Sequence, residues 1–207
     1  MSFITGRKVG ALWVVPMVLA GLLVSQSQAA DPSGQAKAYF AGGCFWCMEE
    51  VFEKVPGVTS VVSGYMGGRV ENPSYEQVSA GGTGHAESVE VVYDPAKVSY
   101  TTLLDAFWHN VDPVTPNAQF CDHGSQYRAV IFYQGEEQKR AAEESKRAIE
   151  QSQRLTQPIV TELTKASQFY SAEEYHQDFY KKNPIRYKFY KFNCGRAQRL
   201  EEVWGAP

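Results

Sequence analysis

The junction Tyr39-Phe40-Ala41-Gly42-Gly43-Cys44-Phe45-Trp46-Cys47-Met48 constrains this chain more than any other stretch. Ala36 to Ala41 is short, apolar and partly aromatic, which predicts a strand. Two glycines break it. From Cys44 to Lys54 the residues Phe45, Met48, Val51 and Phe52, then Val55, recur at helical spacing. A strand must therefore turn into a helix within two residues, over backbone that glycine adopts without steric cost. Cys44 falls in the first turn, where unpaired N–H groups and the positive end of the helix dipole favour a thiolate. A nucleophile fits there, and so does a packing cysteine with Phe45 and Trp46 as core.

The remaining elements follow in order. Val55-Pro56-Gly57 stops the helix, and Val58 to Tyr65 alternates with β-branched residues, predicting a second strand. Glu71 to Gly84 reads as a loop and Ala86 to Tyr93 as a third strand. Ser99 is placed to cap a helix over Tyr100–Asn110. A loop from Asp112 to Ser125 leads to a fourth strand, Tyr127 to Tyr133, and a charged helix from Gly135 to Gln151. The order βαββαβ predicts an α+β two-layer sandwich with a ferredoxin-like split βαβ core. Beyond it, Ile159–Leu163 is expected as an edge strand and Ser171 as a helix cap, with Glu174 completing a capping box. From Asn183 onward the tail is aromatic and basic without clear periodicity.

At 43% hydrophobic and 21% charged residues, 207 residues suit one globular domain behind a leader. Arg7 and Lys8, the apolar run Val9–Val24 and the small, polar Ser25–Ala30 form an export signal. Cleavage is expected after Ala29, leaving 30–207 as one domain in the periplasm or another extracytoplasmic space. An uncleaved leader would anchor it to the membrane, and no other membrane contact is expected. Losing Arg7 and Lys8 takes the formal charge from −3 to −5, which gives nucleic acid no footing. A monomer is expected.

Export places Cys44, Cys47, Cys121 and Cys194 in an oxidising compartment. Four cysteines are too sparse for a disulfide-built scaffold, so redox chemistry or one structural bridge are the readings left. A single C-x-x-C without a second pair gives no metal site, and the scattered His85, His109, His123 and His176 do not make one. If Cys44 is a nucleophile, Glu87 at the start of the third strand reads either as an edge charge or as a buried, protonated acid. Tyr75, Asp122 and Tyr127 lie in loops or at a strand start, where packing, capping and function are all open.

Gly43-Cys44-Phe45-Trp46-Cys47 resembles the signature of the A-type peptide methionine sulfoxide reductases. The likeness continues through Ser63-Gly64-Tyr65-Met66-Gly67-Gly68, Asn72-Pro73-Ser74-Tyr75, Gly84-His85-Ala86-Glu87, Tyr93-Asp94-Pro95, Gln126-Tyr127-Arg128 and Tyr175-His176-Gln177, covering about 37–183. The resemblance implies reduction of methionine S-sulfoxide, in proteins or free, with one enzyme per sulfoxide epimer. It implies Cys44 as the nucleophile that becomes a sulfenic acid, Glu87 as its general acid, and Tyr75 and Tyr127 as donors to the sulfoxide oxygen. Phe45 and Trp46 would hold the substrate methyl group, and Asp122 would help order the site. No bound cofactor is implied, only an external dithiol such as thioredoxin.

The second thiol departs from the family pattern, in which it often sits in a Gly-rich tail after Tyr-Gly-Tyr. Here that stretch reads Ile185-Arg186-Tyr187-Lys188, followed by Lys191-Phe192-Asn193-Cys194-Gly195. Cys194 and Cys121 are the expected resolving thiols, ahead of Cys47. His85 and His176 are expected as structural hydrogen-bonders. The rival enzyme class is a thioredoxin-like thiol-disulfide oxidoreductase, which the C-x-x-C after a strand also fits. A non-enzymatic exported binding domain is the third reading.

Overall fold

The computed structural model describes residues 1–3 and 34–205; the rest of the expected leader lies outside the described residues. The elements run β1 (Ala36–Gly42), α1 (Phe45–Glu53), β2 (Val58–Met66), α2 (Tyr75–Ser79), β3 (Ala86–Tyr93), α3 (Tyr100–Trp108), β4 (Ala118–Gln119), β5 (Asp122–His123), β6 (Ala129–Tyr133), α4 (Gly135–Gln151), β7 (Glu162–Lys165), β8 (Tyr170–Ser171), α5 (Phe179–Lys182), α6 (Pro184–Asn193) and α7 (Arg196–Trp204). The main sheet has the order β7-β6-β1-β3-β2-β8. Its centre, β6-β1-β3-β2, is antiparallel throughout. That is the split βαβ arrangement: β3 lies between β1 and β2, which α1 joins, and β6 returns beside β1. Parallel β7 and short antiparallel β8 extend the two edges.

Strand alternation decides what each face carries. Val89, Val91 and Tyr93 of β3 join Phe40, Phe52, Leu104 and Phe107 in the main core under the helices. Phe40 stacks on Phe52 at 4.8 Å and on Phe107 at 5.4 Å between ring centroids. Glu87 has the same parity, so the last place in this buried row holds a carboxyl. The opposite face is smaller: Met66, Val130 and Phe132 are covered by Ala166 and Phe169. No helix among the described residues is long and apolar enough to cross a membrane.

Four local expectations are corrected. The 71–84 loop contains α2, started by a capping box in which Ser74 accepts from the Gln77 amide and Gln77 from the Ser74 amide. The fourth strand begins at Ala129, because Ser125–Tyr127 forms a 3₁₀ turn. The edge strand lies at Glu162–Lys165, three residues later than expected. Ser171 caps no helix: it pairs with Gly64 in β8, and a 3₁₀ turn starts only after Glu173. Glu173 instead accepts from the Tyr75 amide at 2.8 Å and the Tyr65 hydroxyl at 2.9 Å, tertiary bonds that outweigh the local cap.

Candidate active site

Cys44 is the N-cap residue of α1, held by two backbone constraints. Gly43 has φ +80°, and a Cβ there would lie 2.5 Å from Gln119 Cβ. Gln119 is fully buried and clamps Asp112, accepting from its amide at 2.8 Å and donating to its carbonyl at 2.7 Å. The β1–α1 turn thus presses on the β4–β5 hairpin that carries Cys121 and Asp122. Gly43→Ala combines a left-handed alanine with an overlap on the first carbons of the clamped Gln119 side chain. It is expected to cost about 2–4 kcal/mol, read as a lowered denaturant midpoint.

Across the junction, the Phe45 amide donates to Glu87 Oε2 at 3.1 Å. The helix amide expected to favour a Cys44 thiolate is therefore spent on the carboxyl. Glu87 is 3% exposed. Burial pushes its pKa up to about 8, against the opposing pull of the Phe45 amide, with Asp122 and Cys47 adding to the rise. At neutral pH it is mostly a protonated acid, so the edge-charge reading is excluded.

Cys44 and Cys47 are buried free thiols that share one cluster with Phe179 and Tyr187. Burial pushes Cys44 up, and Cys47 raises it further. Cys47 is lowered to about 6 by its hydrogen bond with Cys44, with Arg196, Tyr187 and Lys191 helping against desolvation. The pair releases one proton easily and holds the other.

Cys44, Phe45, Trp46, Tyr75, Glu87, Asp122 and Tyr127 all line one open pocket of about 280 Å³, joined by Tyr190. Trp46 stacks on Phe179 at 3.7 Å and donates through Nε1 to His176 Nδ1 at 3.1 Å, which fixes the indole. His176 is thereby a neutral orienting group, packed on Phe45 and Tyr75. His85 is likewise structural: its Nδ1 accepts from the Gly68 amide at 3.1 Å, and its Nε2 reaches the Val70 carbonyl. Burial raises the Tyr75 hydroxyl to about 12 and Tyr127 further, so both remain proton donors.

The tail supplies what the sequence reading missed. Tyr190 donates to Asp122 and lies against Cys44, while Tyr187 donates to Glu50 and lies against Cys47. Both project from the inward side of α6. Cys121 and Cys194 form a disulfide with Cα atoms 4.7 Å apart, so neither is free to meet Cys44 in this state. Cys47 is the cysteine in contact with it.

A buried dithiol beside a neutral carboxyl and an aromatic wall defines a thiol-dependent oxidoreductase. Comparison with known proteins gives the particular one. The family model "Peptide methionine sulfoxide reductase" matches residues 36–207, so the chain belongs to that family and is an oxidoreductase acting on methionine sulfoxide. It is 50% identical over 169 residues to a Bacillus subtilis protein described as peptide methionine sulfoxide reductase MsrA, spanning 82% of this chain and 96% of the relative. Reduced Mxr1 from Saccharomyces cerevisiae matches with TM-score 0.70 and 30% identity, over 76% of this chain and 90% of that one. Mxr1 solved in complex with Trx2 shares the fold at TM-score 0.52 and 21% identity, over 74% and 91% of the two chains. The thioredoxin-like alternative is not favoured.

Proposed function

We propose that Cys44 attacks the sulfur of methionine S-sulfoxide and that Cys47, rather than Cys121 or Cys194, resolves the product. One observation carries this reading: Cys44 lines the pocket that holds Glu87, and the other free thiol, Cys47, is buried in the same cluster behind it. The methyl group packs against Phe45 and Trp46, a contact worth about 0.3–1.5 kcal/mol per sulfur–aromatic pair. Tyr75 and Tyr127 donate to the sulfoxide oxygen, and Glu87 protonates it as the S–O bond weakens. Attack joins the two sulfurs; as that bond and the S–O bond break, the protonated oxygen passes to Cys44 as a sulfenic acid, methionine leaves, and the Cys44 thiol proton restores Glu87. The Cys47 sulfur then bonds to the Cys44 sulfur, the hydroxyl leaves as water with the remaining proton, and a disulfide closes.

Cys121–Cys194 supplies the next pair of electrons once a dithiol protein has reduced it. Asp122 follows Cys121, Tyr190 precedes Cys194 by one helical turn, and both line the pocket with Cys44, so the outer pair's chain neighbours border the inner site. Its two thiols exchange with the Cys44–Cys47 disulfide and re-form their own. Mxr1, solved with Trx2, supports a thioredoxin-type donor here. The leader supports export, and a disulfide such as Cys121–Cys194 persists in an oxidising compartment.

Methionine counted in the absence of reductant tests the scheme. Fully reduced protein is expected to make two methionines per chain from the S epimer and none from the R epimer. Replacing both Cys121 and Cys194 by serine leaves one. Cys47→Ser also gives one, with the sulfenic acid trappable. Closure of a Cys44–Cys121 or Cys44–Cys194 disulfide in Cys47→Ser at the wild-type rate would overturn the role given to Cys47.

A further inference from the structure

Between residues 34 and 205 the large hydrophobic side chains left in solvent are Val160, Tyr175, Ile185, Phe189 and Phe192, and the last three share α6. They are 85%, 70% and 84% exposed. Steps of four and three residues set them in one row along the helix. The inward side of α6 is already occupied, since Tyr187 is buried and Tyr190 lines the pocket. The row lies on the opposite side and adds nothing to core or pocket. Contiguous apolar side chains rimmed by polar ones mark a contact surface.

Charge narrows what it contacts. From Phe179 to Gly195 there are five lysines and arginines and no carboxylate, in a chain whose formal charge is −3. Lys181 is matched by Glu53 and Asp178, Lys182 by Glu174 and Lys191 by Glu50. Arg186 and Lys188 have no carboxylate within ion-pair distance among the described residues, and Arg186 lies only over the Phe179 ring at 5.7 Å. By helical spacing these two cations stand on either side of the apolar row. Isoleucine and phenylalanine bordered by unpaired cations form the pattern of a helix that lies in the interface of an anionic bilayer.

We propose that the outer face of α6 is a membrane-docking surface: Ile185, Phe189 and Phe192 enter the boundary between headgroups and acyl chains, and Arg186 and Lys188 meet anionic phosphates. Other occupants fit less well. A second copy would set the same unpaired cations against each other. A dithiol reductant has its target elsewhere: Cys194 comes two residues after Phe192, on the opposite side of the helix, and is bonded to Cys121 there. An acidic protein could meet the cations, but the leader directs the chain to a bilayer. Docking on the outer face leaves the pocket, on the inward side of α6, open to substrate.

The test reads the helix itself, which separates its contribution from that of the leader. Phe189→Trp in the full chain is mixed with phosphatidylglycerol vesicles carrying brominated acyl chains, and the unsubstituted chain gives the baseline of the native tryptophans. The added tryptophan is expected to be quenched and its emission shifted to the blue, and on phosphatidylcholine vesicles or in about 0.5 M NaCl to be quenched far less. Adding Arg186→Gln and Lys188→Gln is expected to cut the extra quenching at a subsaturating lipid concentration about tenfold. Each variant should reduce free methionine sulfoxide in solution at the wild-type rate, which shows that it is folded. A chain that sits on the vesicles with no extra quenching is held by its leader alone, and this overturns the proposal. Equal quenching on both lipids overturns it too, because the cations would then play no part. So does self-association that Phe189→Asp abolishes while the vesicles give no quenching, since the row would then belong to a second copy.

Discussion

Cys44→Ser is expected to abolish methionine sulfoxide reduction and leave the protein at least as stable as before. The hydroxyl is slightly smaller than the thiol and fits its place, but it does not attack the sulfoxide sulfur or accept its oxygen. A loss on the order of 10⁴–10⁶-fold in kcat is the scale of other nucleophile knockouts. The second half follows from the backbone. Cys44 occupies the N-cap of α1 and makes no side-chain capping hydrogen bond. Serine is among the preferred N-cap residues, and the cap is worth about 0.5–2 kcal/mol over a side chain that cannot accept. The chain thus carries a poor cap where a good one differs by one atom, which is how a site chosen for chemistry looks in stability terms. Methionine release after mixing with the S epimer, set beside a urea melt, checks both halves. Residual turnover within 100-fold of wild type would mean another thiol initiates the reaction, and a large loss of stability would mean Cys44 is needed for packing.

Legibility in the sequence divided along physical lines. The central sheet was readable because β1, β2, β3 and β6 each carry a run that one register buries, and glycines or prolines punctuate them. The helix α2 was readable in principle: Ser74-x-x-Gln77 is a capping box, and only its brevity made it look like loop. The tail was not. In α6 the aromatic and aliphatic residues occupy opposite sides, Tyr187 and Tyr190 inward and Ile185, Phe189 and Phe192 exposed, so no single apolar stripe emerges. Tyr187, Tyr190 and Arg196 consequently had no signal of their own. The thiols meet a related limit: spacing gives the distance of Cys47 from Cys44 along a helix, but not that Cys121 and Cys194 are held to each other. Glu87 lay between these cases, since alternation placed it on a face and only the surrounding core decided which state its carboxyl takes.

Glu87→Gln is expected to lower the rate of the first methionine by about 10²–10⁴-fold, with little change in substrate KM. Glutamine keeps the volume and can still accept the Phe45 amide through its side-chain oxygen, so the α1 junction is preserved. It has no proton to give, and the sulfoxide oxygen leaves poorly without one. The unsubstituted enzyme should lose its first-step rate as pH rises through about 8, because that is where the buried carboxyl ionises. The glutamine variant should lack that limb. Stability provides a second readout with a definite sign. The folded carboxyl holds its proton to about pH 8, while the unfolded chain releases it near 4.5. The folded state therefore binds more protons between those values, and this contribution to stability falls as pH rises through the window. Glu87→Gln removes the titration, so the variant should gain on wild type from pH 5 to pH 8 in urea midpoints. Parallel pH dependences would mean that Glu87 is already ionised in the folded protein, and its assignment as the acid would fall with them.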